Sequence, residues 1–334
     1  MIDASWGGSR IEEWTPPVGF KLVPELENIT QIVESWDPTT EVGQKSWTEF
    51  FSQLKKWLPR AEKALAERKP LPMIPKQPGP ELSNQEPTKL YNGMIHPFIP
   101  YAIRGVIWYQ GENNGWEEDS YFHKMKAVIL GWRQLWGLGD FPFYYVQLAN
   151  HREPNKDPAG EDSAGWSRVR EAQRKSLSIA NTGMAVTIDI GEAIYLHPKN
   201  KQDVGKRLAL WALAKDYKKN LVYSGPLYKN HKAEGNKIII HFDHVGSGLM
   251  VGEKKGLAPV AEIKGWTLKQ FAISGDDKKW FWADARIIGD KVVVSSDKVK
   301  KPVHVRYAYS MNPEGCNLYN KEGLPASPFR TDRW

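Results

Sequence analysis

The chain has 334 residues, 41% hydrophobic and 25% charged, an ordinary globular composition that can bury the core of one large domain or two smaller ones. Its net charge of +7 is spread thinly, the densest short run being SDKVKK at 296–301, and no nucleic-acid motif accompanies it, so nucleic-acid partners are not expected. A single cysteine, Cys316, excludes an internal disulfide framework, and no apolar run approaches the ~20 residues of a membrane helix, so no membrane partner is expected either.

The opening MIDASWGGSR lacks the basic-then-apolar pattern of a signal peptide, and the sequence as it stands reads as cytoplasmic. Within it, SRIE at 9–12 has the form of a capping box. Residues 47–67, WTEFFSQLKKWLPRAEKALAE, have helical spacing interrupted by Pro59, which predicts two short helices or one kinked helix. The proline-dense stretch at 68–87 predicts an extended connector. From Leu90 to about Asp216, strands alternate with helices. GVIWYQ, FPFYYVQLAN and MAVTIDI read as strands; SYFHKMKAVILGWRQLWG, WSRVREAQRKSLSIA and NKQDVGKRLALWALAKDY read as helices. That alternation predicts a parallel α/β sheet with its ligand beyond the strand carboxyl ends. After Leu221, KIIIHFDHV, LKQFAISG, ARIIGDKVVVSS and PVHVRYAYS are short alternating stretches bounded by turn residues, and predict an antiparallel β module. The expected division is therefore 1–220, with a helical insertion and connector at 16–90, and 221–334 packed on it.

Single residues along this path have ordinary readings. Asn114, in the QGENN turn after the first strand, is common turn chemistry. His197 precedes Pro198, a favourable first helical residue. Cys316, in NPEGCNLYN, reads as a small buried side chain. Trp14 and Trp116 read as core or as platforms for flat ligands such as sugar rings.

Taken together, four blocks change that picture. SWGGSRIEEW (5–14), YNGMIHPFIPYAIRGVIWYQGENN (91–114), TIDIGE with HPKNKQDVGKRLALWAL (187–213) and NLYNKEGLPASPFRTDRW (317–334) closely resemble the sialate O-acetylesterase-like carbohydrate esterases of the SGNH/GDSL hydrolase superfamily. The resemblance implies an SGNH-like (flavodoxin-like) three-layer α/β fold and removal of O-acetyl groups from sugars, such as sialic acid or acetylated xylan, through a serine-histidine acyl-enzyme. It assigns His197 as general base, Gly8 (or Gly7), Gly111 and Asn114 to the oxyanion blocks, and Arg10, Trp14, Gln110 and Glu112 to substrate contact. No metal or organic cofactor is implied. The chemistry suits those residue types. Ester hydrolysis builds negative charge on the carbonyl oxygen, and a glycine N–H and an asparagine amide are rigid donors for it. A histidine near neutrality takes the serine proton and returns it to the leaving hydroxyl.

Two departures qualify the resemblance. No Gly-Gln-Ser-Asn-Met-like turn occurs, so the family's first strand and nucleophile are expected to be absent from this sequence. The family's aspartate, three residues before His197, is here Ile194; Glu192 and Asp189 are the nearest carboxylates before it. Three readings stay open: Ser9 or Ser5 substitutes as nucleophile, the chain is a partial enzyme lacking its nucleophile, or it is a non-catalytic carbohydrate-binding homologue. A missing strand would also leave an unpaired sheet edge, open to oligomerisation or to pairing between residues 2–6 and 106–110 in a parallel ladder.

Overall fold

Two compact units make up the computed structural model of the chain, one of residues 1–102 with 123–139 and the other of 103–122 with 140–334. The structure describes residues 1–79, 86–115, 117, 120–160 and 165–333; Trp116 and the end of the proline-rich connector lie outside the described residues.

The first unit is helical. Its helices are α1 (Ile11–Trp14), α2 (Pro17–Lys21), α3 (Glu27–Glu34), α4 (Glu41–Ala66) and most of α5 (Ser120–Trp136). Phe20, Val23, Leu26, Ile29 and Val33 close on Ala127 of α5 to form its core. Gly19 permits the approach, since a Cβ there would stand 2.4 Å from the Ala127 carbonyl oxygen. Helix α4 is one continuous helix of 26 residues running through Pro59, capped where the Thr40 hydroxyl accepts the Gly43 N–H at 2.9 Å. Only Gly43 and Ala61 of α4 are buried. The carbonyl that Pro59 leaves without an N–H partner, that of Lys55, therefore sits on a solvent-exposed stretch where water substitutes. The connector returns alongside α4, with the Trp57 indole donating to the Pro72 carbonyl at 2.9 Å.

Residues 1–6 form no strand, so the expected ladder between residues 2–6 and 106–110 is absent. Local side-chain bonds organise this stretch instead: the Ser5 hydroxyl donates to Asp3 and the Ser9 hydroxyl to the Trp6 carbonyl.

The second unit contains the predicted parallel sheet, with β1 (Val106–Trp108), β2 (Phe143–Val146) and β3 (Thr182–Ala185) in the order β1-β2-β3. Helices α6 (Gly165–Lys175) and α7 (Lys201–Lys215) accompany it. Val204, Leu208 and Trp211 of α7 pack on Tyr144, Val146 and Ala185 of the strands. Gly183 lets Trp211 lie against β3, because a Cβ there would meet the indole at 2.5 Å.

Eleven short strands follow among the described residues: β4 (Leu227–Glu234), β5 (Lys237–Asp243), β6 (Leu249–Glu253), β7 (Ala261–Glu262), β8 (Phe271–Ser274), β9 (Trp280–Trp282), β10 (Asp284–Ile288), β11 (Lys291–Ser295), β12 (His304–Tyr307), β13 (Leu318–Asn320) and β14 (Phe329–Arg330). They pair antiparallel in the orders β10-β11-β5-β4, β14-β12-β8-β9 and β13-β6-β7. The fully buried Arg170 of α6 joins them to the parallel sheet, donating to the carbonyls of Leu148, Ala149, Ser310 and Met311. The architecture is mixed α/β. Among the described residues no helix is long and apolar enough to cross a membrane.

Candidate active site

Strand β1 ends in the QGENN turn, at the carboxyl edge where parallel sheets hold ligands. Gly111 has φ 147°, a conformation that favours glycine, and a Cβ there would press on Val169 Cγ1 at 3.1 Å. The chain then makes one 3₁₀ turn, Glu112–Asn114. Asn114 is buried: its side-chain Oδ1 accepts from Gln110 Nε2 at 2.8 Å and its Nδ2 donates to Glu117 Oε1 at 2.9 Å. Gln110 is itself fixed by Tyr121, whose hydroxyl donates to Gln110 Oε1 at 3.0 Å. Gln110 is thus a buried holder of Asn114.

Glu112 is half-buried on the same turn, and the Trp166 indole donates to its carbonyl at 3.2 Å. Burial raises the Glu112 carboxyl pKa, while His197 and Lys201 act on it as nearby positive charges and pull it back down. Lys201, the first residue of α7, lies over the Tyr109 ring at 5.0 Å, and burial lowers its ammonium pKa. Tyr109, Glu112, His197 and Lys201 therefore form one electrostatic cluster on the second unit. Sequence reasoning placed Glu112 among the substrate contacts and did not foresee that the charges of His197 and Lys201 act on it. The one signal available was topological, since Glu112 and His197 both follow parallel strands at their carboxyl ends.

His197 is exposed, its ring edge-on to Tyr195 at 6.2 Å. Helix α7 begins four residues later, capped by the Asn200 side chain, so His197 belongs to the loop and not to the helix start. That loop is anchored by its neighbours: Gly191 N–H donates to Asn150 Oδ1 at 2.8 Å and Arg152 N–H to the Ala193 carbonyl at 2.9 Å. The two carboxylates considered for orienting His197 are engaged elsewhere. Asp189 is held by both arms of Arg207, at 2.6 and 2.8 Å, and Glu192 accepts the Lys199 N–H at 3.0 Å. The side chain at the family's aspartate position, Ile194, is 91% exposed.

On the first unit, Ser9 is buried, its oxygen accepting from the Trp14 indole at 2.9 Å while its hydroxyl donates to the Trp6 carbonyl at 2.8 Å. The helix cap falls one residue later than the SRIE pattern suggests, at Arg10, whose N–H donates to Glu13 Oε1 at 2.8 Å. Trp14 is 4% exposed, and its carbonyl accepts from Trp132 at 2.9 Å. It is core, which corrects the expected stacking role. Gly8 has φ 72° and is exposed, as is Ser5. The half-exposed Arg10 reaches Glu12 at 3.7 Å, and Glu12 also accepts from the buried Lys124 at 2.6 Å. Burial pushes the Cys316 thiol pKa up to about 12, away from the lowered values that favour a reactive thiolate. Among the described residues no cluster has the composition of a metal site.

Comparison with known proteins bears on this arrangement. Residues 61–214 match the sequence family described as carbohydrate esterase, sialic acid-specific acetylesterase. The sialate O-acetylesterase of Rattus norvegicus is 30% identical over 98% of this chain and 59% of its own length. That of Homo sapiens is 30% identical over 72% of this chain and 48% of its own length. A crystal structure of a carbohydrate acetylesterase from Xanthomonas citri superimposes with a TM-score of 0.68 at 43% identity, covering 75% of this chain and 55% of the other. The chain belongs to the sialate O-acetylesterase-like carbohydrate esterase family. It spans 59% and 48% of these two curated relatives. The family match over 61–214 takes in the QGENN turn, the His197 loop and the start of α7.

Proposed function

We propose that the chain is a carbohydrate O-acetylesterase, a carboxylic ester hydrolase acting on acetylated sugars such as sialic acid or acetylated xylan. The parallel sheet, the order of its helices and the Xanthomonas likeness support an SGNH-like fold for 1–220, with 221–334 as its β module. One observation carries the reading: the QGENN turn with its buried Asn114 and the His197 loop follow β1 and β3, strands of the same parallel sheet, on the second unit.

In this reading His197 removes the proton from the attacking hydroxyl, and Glu112 supplies the carboxylate that the sequence lacks at Ile194. A negative charge beside the ring stabilises the imidazolium formed during attack. Asn114, pinned by Gln110 and Glu117, points a fixed amide for the developing oxyanion. The attacking hydroxyl is a serine's, Ser5 and Ser9 being the candidates that the sequence offers. The hydroxyl attacks the acetyl carbon, the sugar oxygen leaves with the proton held on His197, and water then releases acetate by the reverse relay.

The test is acetate release from p-nitrophenyl acetate and from acetylated xylan. Wild type should release acetate, and His197→Ala should lower kcat at least ~100-fold with an unchanged circular dichroism spectrum. Labelling by an active-serine inhibitor should map to Ser5 or Ser9. Wild type without acetate release, yet retaining sugar binding, would replace this reading with that of a non-catalytic carbohydrate-binding homologue. The double engagement of the Ser9 hydroxyl is the observation on that side.

A further inference from the structure

Helix α4 turns Ser46, Glu49, Phe50 and Gln53 to one face, since they stand at spacings of three and four residues. That face looks across a groove of about 290 Å³ toward Trp36 and the connector residues Gln77 and Glu86. The groove is open to solvent, and two aromatic rings, Trp36 and Phe50, line it together with amides, hydroxyls and carboxylates. Trp36 and Phe50 are half-buried, so they are held in place yet keep part of each ring open. The Gln53 amide donates to Glu49 Oε1 at 3.2 Å, which orients both groups along the groove. Among the described residues the Gln77 and Glu86 side chains make no hydrogen bond.

We propose that this groove, wholly within the first unit, is a second carbohydrate-binding site that takes a neutral sugar unit of a longer glycan chain. Aromatic rings offer the apolar face of a pyranose its partner, and amides and carboxylates accept its hydroxyls. The volume lies at the lower end of the ~300–1,000 Å³ of small-molecule sites, which suits a short stretch of sugar chain and no larger ligand. Among the described residues, two carboxylates, Glu49 and Glu86, and one cation, Lys76, line the groove. That balance repels an acidic sugar and selects a neutral one. The site would hold a polymer near the enzyme while acetyl groups are removed elsewhere, raising the effective substrate concentration. It rests on the carbohydrate reading above only for the choice of ligand class.

The experiment is isothermal titration of the full chain with xylohexaose and, separately, with N-acetylneuraminic acid, needing no turnover. Wild type should saturate with xylohexaose below about 10 mM, and N-acetylneuraminic acid should bind at least ~10-fold more weakly. Phe50→Ala and Gln77→Ala, both outside the candidate catalytic residues, should weaken xylohexaose at least ~10-fold while leaving p-nitrophenyl acetate turnover unchanged. No saturation by wild type, unaltered affinity in both variants, or equal binding of the acidic sugar would each overturn the proposal. Failure of acetate release would leave these binding results standing, so the two readings fail separately.

Discussion

Glu112 gains its role from two opposed influences, burial that favours its neutral form and the His197 and Lys201 charges that favour its ionised form. Burial wins, so its folded pKa lies above the ordinary 4.5. Where the folded value is raised, the native state binds the proton more tightly than the unfolded chain. The stability this gives is full below the unfolded value and is lost as pH rises through the folded one. Glu112→Gln should therefore flatten the fall in stability above pH 4.5, measured as denaturation midpoint against pH. Activity should move oppositely. If the ionised carboxylate supports His197, kcat rises with pH as Glu112 titrates, and Glu112→Gln lowers kcat and removes that limb; an unchanged profile would leave Glu112 as a turn residue only. Asn114→Ala should lower kcat ~100-fold or more by removing an oxyanion donor. Because it also strands the Gln110 and Glu117 side chains, it should cost about 1–3 kcal/mol in urea unfolding.

At the scale of elements, Arg207 and Asp189 tie α7 to the segment following β3, with the Val186 carbonyl accepting a further bond from the same guanidinium at 2.6 Å. Both side chains are nearly enclosed, so removing one partner leaves the other charge buried. Arg207→Met should cost ~3–5 kcal/mol, whereas breaking the exposed Lys229–Asp243 pair by Lys229→Met should cost under ~1 kcal/mol. Comparable losses in the two variants would show that burial does not separate them. This pair also explains where the sequence could and could not be read. The alternation of strands and helices from 106 onward was legible because hydrophobic periodicity is local, and the same holds for the antiparallel strands after Leu227. Whether Asp189 or Glu192 served His197 was not legible. Asp189 meets Arg207 across 18 residues, and chain spacing carries no trace of that contact. Pro59 was misleading in a different way. It argues for a break, yet α4 continues because the unpaired carbonyl faces water, and Pro59→Ala should stabilise the helix by up to ~3 kcal/mol, read as a raised thermal midpoint.

For the whole molecule, the open question raised by the sheet is its edge. Parallel sheets are normally covered on both faces and continue across several strands. Here β1 pairs with β2 alone among the described residues, and its central residue, Ile107, is 65% exposed. In a parallel ladder alternate backbone groups point to opposite sides, so one set of β1 donors and acceptors faces outward with an apolar side chain beside it. That combination is a template for another strand, and proteins ordinarily blunt it with a charge. No charge stands within Val106–Trp108. We therefore expect the chain to self-associate through this edge, seen as a concentration-dependent rise in mass by sedimentation or light scattering. Ile107→Lys should lower that association without changing the fold, because the side chain is already in solvent and a lysine there needs no burial. Association unaffected by Ile107→Lys would place the contact on another surface. A wild type that stays monomeric at high concentration would mean that three residues of open ladder are too few to hold a second copy.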